Sequence, residues 1–339
     1  MNNIFNYKLE DLEVYFESLG LKKFKAIQVF DWLYKKRVYD FENMTNLKKE
    51  LMLKLKADFD NDFIKIEKKQ VDKTASKYLF RLKDNEFVEA VVMYHDYGIS
   101  VCVSSQVGCN MGCKFCESGR LKKVRNLETY EMVMQILLIE KDIDKRISSV
   151  VIMGIGEPFD NYDNVMNFIK IINHDKGIAI GARHITVSTC GIIPKIKLLM
   201  EEKMQINLAI SLHAPNNEIR NQIMNINKVY DINALISVLK EYIKKTNRRV
   251  TIEYVMLNKV NDSTECAKML ASLLKGMNAY VNLIPYNETN NLEFKKSSKE
   301  SIMNFYDTLK KNKINVTIRK EFGAGIDAAC GQLRSKEVN

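Results

Sequence analysis

The sequence predicts an α/β protein: a partial (β/α)6 barrel with a small N-terminal helical domain and a β-hairpin linker. Three observations lead there. From residue 99 onward, short β-branched apolar runs alternate with segments of helical period, the pattern of a parallel sheet covered by helices. Five of those runs pass directly into short loops of small and polar residues, which is how chemistry collects at the carboxyl ends of barrel strands. The chain is 339 residues long, enough for one barrel-sized domain and an appendage but with six βα units rather than eight.

Residues 1–60 read as a helical accessory domain. Leu9, Leu12, Tyr15, Phe16 and Leu19 share one 3.6-residue face, and Gly20 ends the run. A second helix is expected to turn Phe24, Ile27, Phe30, Leu33 and Tyr34 inward. Thr45 is expected to N-cap a third, with Leu47, Leu51 and Leu55 along its buried stripe. Lys22, Lys23, Lys25, Lys35, Lys36, Arg37, Lys48 and Lys49 fall on the outward faces. Such a face can grip RNA phosphates, or be the solvated side of ordinary amphipathic helices.

Residues 61–97 form the linker. Tyr78–Leu82 and Phe87–Tyr94 are β-rich and flank Lys83-Asp84-Asn85, a turn composition. Glu89 lies inside the second strand, either on a solvent face or in a site that raises its pKa.

Residues 98–325 are the core. The pattern predicts strands at Ser100–Gln106, Ser148–Met153, His184–Thr189, Gln205–Ser211, Val250–Val255, Tyr280–Ile284 and Val316–Arg319. Helices are predicted near 128–142, 161–173, 194–202, 231–245, 262–275 and 298–311. The loops after the strands are Gly154-Ile155-Gly156-Glu157-Pro158, Ser188-Thr189-Cys190-Gly191, Ser211-Leu212-His213-Ala214-Pro215 and Pro285-Tyr286-Asn287. A carboxylate beside bare glycine backbone, as at Glu157, suits a bound ammonium group. Dinucleotide binding is excluded there, because the third glycine of that fingerprint is replaced by Glu157-Pro158. Ser188 and Asn287 are candidate hydrogen-bonding residues, and His213 a ligand, a base or a satisfied loop residue.

The loop after the first of these strands carries Cys109, Cys113 and Cys116 in a Cys-x3-Cys-x2-Cys array. That spacing folds three sulfurs toward one point, which suits a soft metal centre. A structural zinc site closes with four protein ligands, and this loop offers three. Residues 326–339 form a tail in which Cys330 stands among small residues, a context for reactivity rather than packing. Cys102 precedes the array by seven residues and can approach the same mouth. Cys190 is close to it without an evident role, and Cys266 falls on a helix.

Seven cysteines, an odd number, do not form a secreted disulfide framework. No apolar run reaches the about 18 residues of a membrane span, and the N-terminus lacks a signal peptide's apolar region, so a cytoplasmic protein without membrane contact is expected. A net charge of +10 favours a polyanionic partner, nucleic acid first.

The Cys-x3-Cys-x2-Cys array resembles the signature of radical S-adenosylmethionine (SAM) enzymes. Gly-Ile-Gly-Glu-Pro, Ile-Thr-Val-Ser-Thr, Ile-Ser-Leu-His-Ala-Pro, Asn-Leu-Ile-Pro-Tyr-Asn and Ile-Asp-Ala-Ala-Cys-Gly-Gln-Leu follow it in order. Together they are similar to the RlmN/Cfr family of radical-SAM RNA methyltransferases, over about residues 87 to 334. The resemblance implies a [4Fe–4S] cluster on Cys109, Cys113 and Cys116, and SAM contacts at Gly156, Glu157, Ser188, Ser211, Leu212, His213 and Asn287. It implies two SAM molecules per turnover. The first methylates Cys330; the second gives an adenosyl radical that takes hydrogen from the S-methyl group. The carbon radical then adds to adenine, Glu89 accepts the proton, and Cys102 resolves the protein–RNA crosslink by a disulfide with Cys330. The implied partners are 23S rRNA at the peptidyl-transferase region, certain tRNAs, and an electron donor such as flavodoxin or ferredoxin; a monomer is expected.

Glu117-Ser118-Gly119 departs from the family pattern, where RlmN members have Ala-Ser-Thr or Ser-Thr-Ala and Cfr has Ala-Thr-Gly. The residues around Cys109 and Cys113 lean toward Cfr, while Gly156-Glu157-Pro158-Phe159, Gly181-Ala182-Arg183-His184 and Pro285 follow RlmN. The expected product is therefore C2-methyladenosine. C8 methylation of the Cfr kind, and a zinc-containing RNA-binding protein without activity, are the alternatives.

Overall fold

The computed structural model describes residues 2–60, 63–289, 292–320, 322, 323, 326 and 334. One ten-stranded sheet follows the chain in spatial order: β1 (Lys65–Val71), β2 (Ala75–Arg81), β3 (Phe87–His95), β4 (Gly98–Cys102), β5 (Ser149–Ile152), β6 (Ile185–Thr189), β7 (Asn207–Ser211), β8 (Val250–Met256), β9 (Ala279–Pro285) and β10 (Asn315–Ile318). Neighbours from β1 to β4 are antiparallel, and neighbours from β4 to β10 are parallel. The expected hairpin is thus part of a meander with an additional strand, β1. It joins the barrel sheet without a break, because β3 turns into β4 through only Asp96 and Tyr97. The polar composition of β1, Lys-Ile-Glu-Lys-Lys-Gln-Val, hides it in the sequence; it is an exposed edge strand, and lysines are what such an edge tolerates.

Crossover helices cover the parallel strands: α5 (Thr129–Ile143), α6 (Tyr162–Asn173), α7 (Ile193–Leu199), α9 (Ile232–Thr246), α10 (Thr264–Leu274) and α11 (Lys299–Lys311). The last three start on side-chain caps: Asp231 accepts from the Ala234 amide at 2.9 Å, Ser263 from the Cys266 amide at 3.1 Å and Ser298 from the Ser301 amide at 3.0 Å. Two short helices, α4 (Glu117–Arg120) and α8 (Asn217–Ile223), lie within the loops and were not foreseen. Strand alternation sorts the two faces. Val187, Leu208, Ile210, Ile252, Tyr254, Val281 and Leu283 enter the core under the helices. Their alternates Ser188, Ser211, Glu253, Val255 and Ile284 face a central cavity.

The N-terminal module is α1 (Leu9–Ser18), α2 (Phe24–Tyr34) and α3 (Lys49–Asp58). Leu12, Phe16, Ala26, Val29, Phe30, Leu33 and Leu55 are fully buried, each large side chain contributing roughly 1.5–3 kcal/mol. Phe24 is 48% exposed, against expectation: it lies off the buried stripe that Ala26, Val29, Phe30 and Leu33 define. Thr45 does not cap α3 either, since the helix starts at Lys49 after an extended Lys48. Buried Met44 and Leu47 hold the preceding residues in turns.

The module docks on the barrel through Asn6 and Arg37. Asn6 accepts from the Tyr130 amide at 2.8 Å and donates to Glu128 at 2.8 Å. Arg37, placed among the outward basic residues by sequence, instead reaches Glu140 at 2.6 Å. Glu140 is 1% exposed and also accepts from the Ile147 amide at 2.7 Å; burial raises its pKa. Removing the guanidinium would leave a buried carboxylate without its charged partner. Arg37→Met is expected to lower unfolding stability by about 1–3 kcal/mol, read from urea denaturation at pH 7. A loss below about 0.5 kcal/mol would mean that the pair does not hold the module in place.

Candidate active site

A cavity of about 450 Å3 opens at the carboxyl ends of the parallel strands. It gathers residues far apart in sequence. Cys109, Cys113 and Cys116 line it, with Gly156, Glu157, Ser188, Ser211, His213 and Asn287. Cys102, at the end of β4, lines it too. Leu212 does not: its side chain is fully buried in the core, while its carbonyl turns to Arg220 at 3.2 Å. Glu89 is not in the lining either. It lies on the same face of β3 as Val91 and Met93, which are, and it pairs with Lys77 at 2.9 Å. The pair is buried, with Glu89 at 3% and Lys77 at 0% exposure, so the solvent-face option for Glu89 is ruled out. Cys330 lies outside the described residues, as does most of the tail. Of that region, Phe322, Gly323 and Ile326 line the cavity, the Gly323 amide donates to Thr74 at 3.1 Å, and Arg334 donates its amide to Glu89.

The cysteine loop is held by backbone contacts together with the Asn110 side chain, which accepts from the Lys123 amide at 3.0 Å. The Cys109 amide donates to Leu121 at 3.0 Å, the Cys116 amide to Cys113 at 3.1 Å, and the Lys114 amide to Ile223 in α8 at 3.0 Å. Gly112 is in the left-handed region at φ +63°, and a Cβ there would stand 2.7 Å from Asn225 Nδ2. Glu117, the unexplained departure in the sequence, ties the loop across the cavity mouth. It accepts from Arg120 at 3.2 Å and from Thr289 beyond β9 at 3.2 Å.

Burial pushes the Cys109 thiol up to about 12 and the Cys113 thiol well above its ordinary value. Such thiols stay protonated unless a metal supplies positive charge and drives the proton off. Among the described residues, no three His, Cys, Asp or Glu side chains are gathered as donors to a single ion. Three thiol donors lining one cavity would suit an iron–sulfur cluster better than a structural zinc site, which closes with four protein ligands.

The Glu157 turn is equally constrained. Gly156 has φ +108°, and a Cβ there would stand 2.6 Å from the Gln106 side chain. This lets the Glu157 amide reach Gln106 Oε1 at 2.8 Å. The Glu157 carboxylate accepts from the Phe159 amide at 3.0 Å and from the Cys190 amide at 2.8 Å. Burial still raises its pKa, although these contacts oppose the shift. His213 is held at φ +57°, with Nδ1 accepting from the Val255 amide at 3.0 Å and the ring edge-on to Phe115 at 4.9 Å.

Sequence reading missed Arg220, Glu253 and Asn261. Glu253 interrupts the apolar β8, a visible signal; it accepts from Asn282 at 2.9 Å, and burial raises its pKa. Asn261 ties the His213 carbonyl at 2.8 Å to the Val255 carbonyl at 2.7 Å. Nothing local marks Arg220 or Asn261, since each is defined by carbonyls from other segments.

Comparison with known proteins agrees with this geometry. Residues 103–270 match the Radical SAM superfamily, and residues 2–60 match the Ribosomal RNA large subunit methyltransferase N-terminal domain. A crystal structure of a radical SAM methyltransferase from Sphaerobacter thermophilus superposes with a TM-score of 0.92 at 37% identity, covering 98% of this chain and 99% of that one. The chain is thus an enzyme of the radical-SAM methyltransferase class. Relatives named probable dual-specificity RNA methyltransferase RlmN are 53% identical in Enterococcus faecalis and 52% in Spiroplasma citri, each over 99% of this chain and 97% and 98% of the relative. It belongs to the RlmN family.

The His213 environment has a consequence for pH. Burial pulls its pKa down from 6.5 to about 3, with the Arg220 charge adding to the effect. The folded state then refuses a proton that the unfolded chain accepts below 6.5, so this contribution is present above that pH and is lost on acidification toward about 3. His213→Asn keeps the left-handed backbone and an acceptor. Between pH 7 and 5 the metal-free wild-type protein is expected to lose about 2 kcal/mol more unfolding free energy than this variant, measured in urea. Equal losses would show that His213 is not held neutral.

Proposed function

We propose that this enzyme methylates C2 of a specific adenosine in 23S rRNA, in the peptidyl-transferase region, and in certain tRNAs. The observation that carries the reading is the meeting of the three cluster-type cysteines, the Glu157 turn and Cys102 in one cavity. The RNA substrate class comes from the relatives, whose names give dual-specificity RNA methyltransferases. A net charge of +10 suits an RNA partner.

Cys109, Cys113 and Cys116 are assigned to a [4Fe–4S] cluster with one iron left open. When bound, the cluster supplies the electron that cleaves SAM to a 5′-deoxyadenosyl radical. Gly156, Glu157, Ser188, Ser211, His213 and Asn287 are assigned to hold SAM; Ser188 and Ser211 already stand 3.5 Å apart across β6 and β7. Leu212 contributes backbone rather than side chain. Two SAM molecules are used per turnover, one for the methyl group and one for the radical.

C2 of adenine is not nucleophilic, so direct transfer from a sulfonium fails and a covalent relay is needed. Cys330 carries the methyl group as a thioether; one hydrogen atom of that group passes to the adenosyl radical, the methylene carbon bonds to adenine C2, and the adduct loses the C2 proton and one electron, which returns to the redox partner. Glu89, whose side chain pairs with Lys77 Nζ at 2.9 Å, is assigned to take the C2 proton. The Cys102 thiolate then attacks the Cys330 sulfur. The S–S bond forms, the S–C bond breaks, and the electron pair leaves with the carbon, which is protonated to the methyl product. A flavodoxin or ferredoxin donates the electron for SAM cleavage, two electrons and two protons from a dithiol reductant restore both thiols, and the protein works as a cytoplasmic monomer.

Cys330→Ala is expected to abolish RNA methylation, at least a 1000-fold loss, while SAM cleavage to 5′-deoxyadenosine continues in the reduced holoenzyme. Cys102→Ala should instead accumulate a covalent protein–RNA adduct, visible by mass spectrometry. Methylation at the normal rate in Cys330→Ala would refute the sulfur relay. Mass spectrometry of the product nucleoside places the methyl group: C8 would make the enzyme a Cfr-type methyltransferase.

A further inference from the structure

Arg220 is fully buried, and every hydrogen bond it makes goes to a neutral oxygen. Nε donates to the Leu212 carbonyl at 3.2 Å; Nη1 donates to Asn227 Oδ1 at 3.0 Å and the Tyr230 carbonyl at 3.3 Å. Nη2 donates to the Cys190 carbonyl at 2.6 Å and the Ser211 carbonyl at 3.4 Å. Among the described residues it has no carboxylate partner. An arginine cannot shed its proton to escape burial, so this is a fixed, uncompensated cation. Burying such a charge is costly unless an anion answers it.

A buried carboxylate, Glu157, holds the other side of residue 190. Glu157 accepts the Cys190 amide at 2.8 Å, while Arg220 takes the Cys190 carbonyl, so one residue is clamped from both ends without an ion pair. The rest of the surroundings point to the cysteine loop. In α8, which carries Arg220, the Ile223 carbonyl accepts from the Lys114 amide between Cys113 and Cys116. Asn225 reaches the Gly112 carbonyl at 3.3 Å. Cys113 packs against the apolar cluster of Cys190, Ile223 and Met224.

We propose that Arg220 is the electrostatic positioning residue of the cluster: an unpaired buried cation behind the cysteine loop that makes the cluster easier to reduce. This rests on the assignment of a [4Fe–4S] cluster to Cys109, Cys113 and Cys116. Three thiolates on a [4Fe–4S]2+ core leave one net negative charge. One electron from a low-potential donor takes the core to [4Fe–4S]+ and raises that charge to two, while the donor is oxidised by one electron. A fixed cation nearby stabilises the more negative state. The same guanidinium ties the loops after β6 and β7, so the residue that favours electron entry also shapes the SAM side of the cavity.

The test is an EPR-monitored dithionite titration of the full-length protein, reconstituted with iron and sulfide, without SAM or RNA. Arg220→Gln removes the charge and keeps most of the volume; Arg220→Lys keeps the charge and loses the fork. The Gln variant is expected to reduce at least tenfold less favourably, about 59 mV lower for one electron. The Lys variant should stay within about threefold of wild type. A Lys variant that holds a full cluster where the Gln variant holds none also supports the charge role. An unchanged potential in Gln, equal shifts in Gln and Lys, or loss of the cluster from both would overturn it and leave Arg220 a structural tie. Wild-type protein without about four irons and four sulfides per chain would instead remove the cluster assignment itself.

Discussion

Backbone pairing from Lys65 to Ile318, with each strand beside its neighbour in sequence, is the constraint on which the other features depend. Parallel neighbours must all present their carboxyl ends on one side, and six crossovers therefore deliver six loops to one rim. The antiparallel meander extends the same ladder, so Glu89 on β3 shares a face with the cavity-lining Val91 and Met93. No separate device is needed to bring the first functional residue and the last cavity-lining loop together.

Within that frame the site is built largely from main-chain groups. Glu157 is oriented by amides, Arg220 by carbonyls, and the cysteine loop by Leu121, Ile223 and its own turn. Backbone donors and acceptors have little rotational freedom once the strands are paired, so charges placed on them stay put. The consequence is a cavity whose buried ionisable groups are shifted by burial first and by neighbours second: Glu157 and Glu253 upward, His213 downward. Perturbed groups concentrated in a concave site are what a reaction centre requires.

Five motifs following five strands were enough to predict the cavity mouth, because a strand ending in small polar residues is readable locally. The cysteine array, the Glu157 turn, Ser188, Ser211, His213 and Asn287 were all legible for that reason, and all line the cavity. Arg220, Asn261 and the tie from Glu117 to Thr289 were not. Each depends on partners outside its own segment, and a spacing pattern carries no information about which carbonyl will face which side chain. Arg37 shows the converse error: its run looked like a basic surface, yet buried Glu140 claims it.

What the sequence determined by itself was the order and type of the core elements and the identity of the loops, since hydrophobic period and loop composition are local properties. Tertiary structure decided the rest. The added strand β1, the continuity of the meander with the barrel, the burial of the Lys77–Glu89 pair and the uncompensated charge of Arg220 arise only when separate segments share one low-dielectric interior. There the cost of an unanswered charge depends on what lies within a few ångströms in space, and neighbours along the chain do not reveal it.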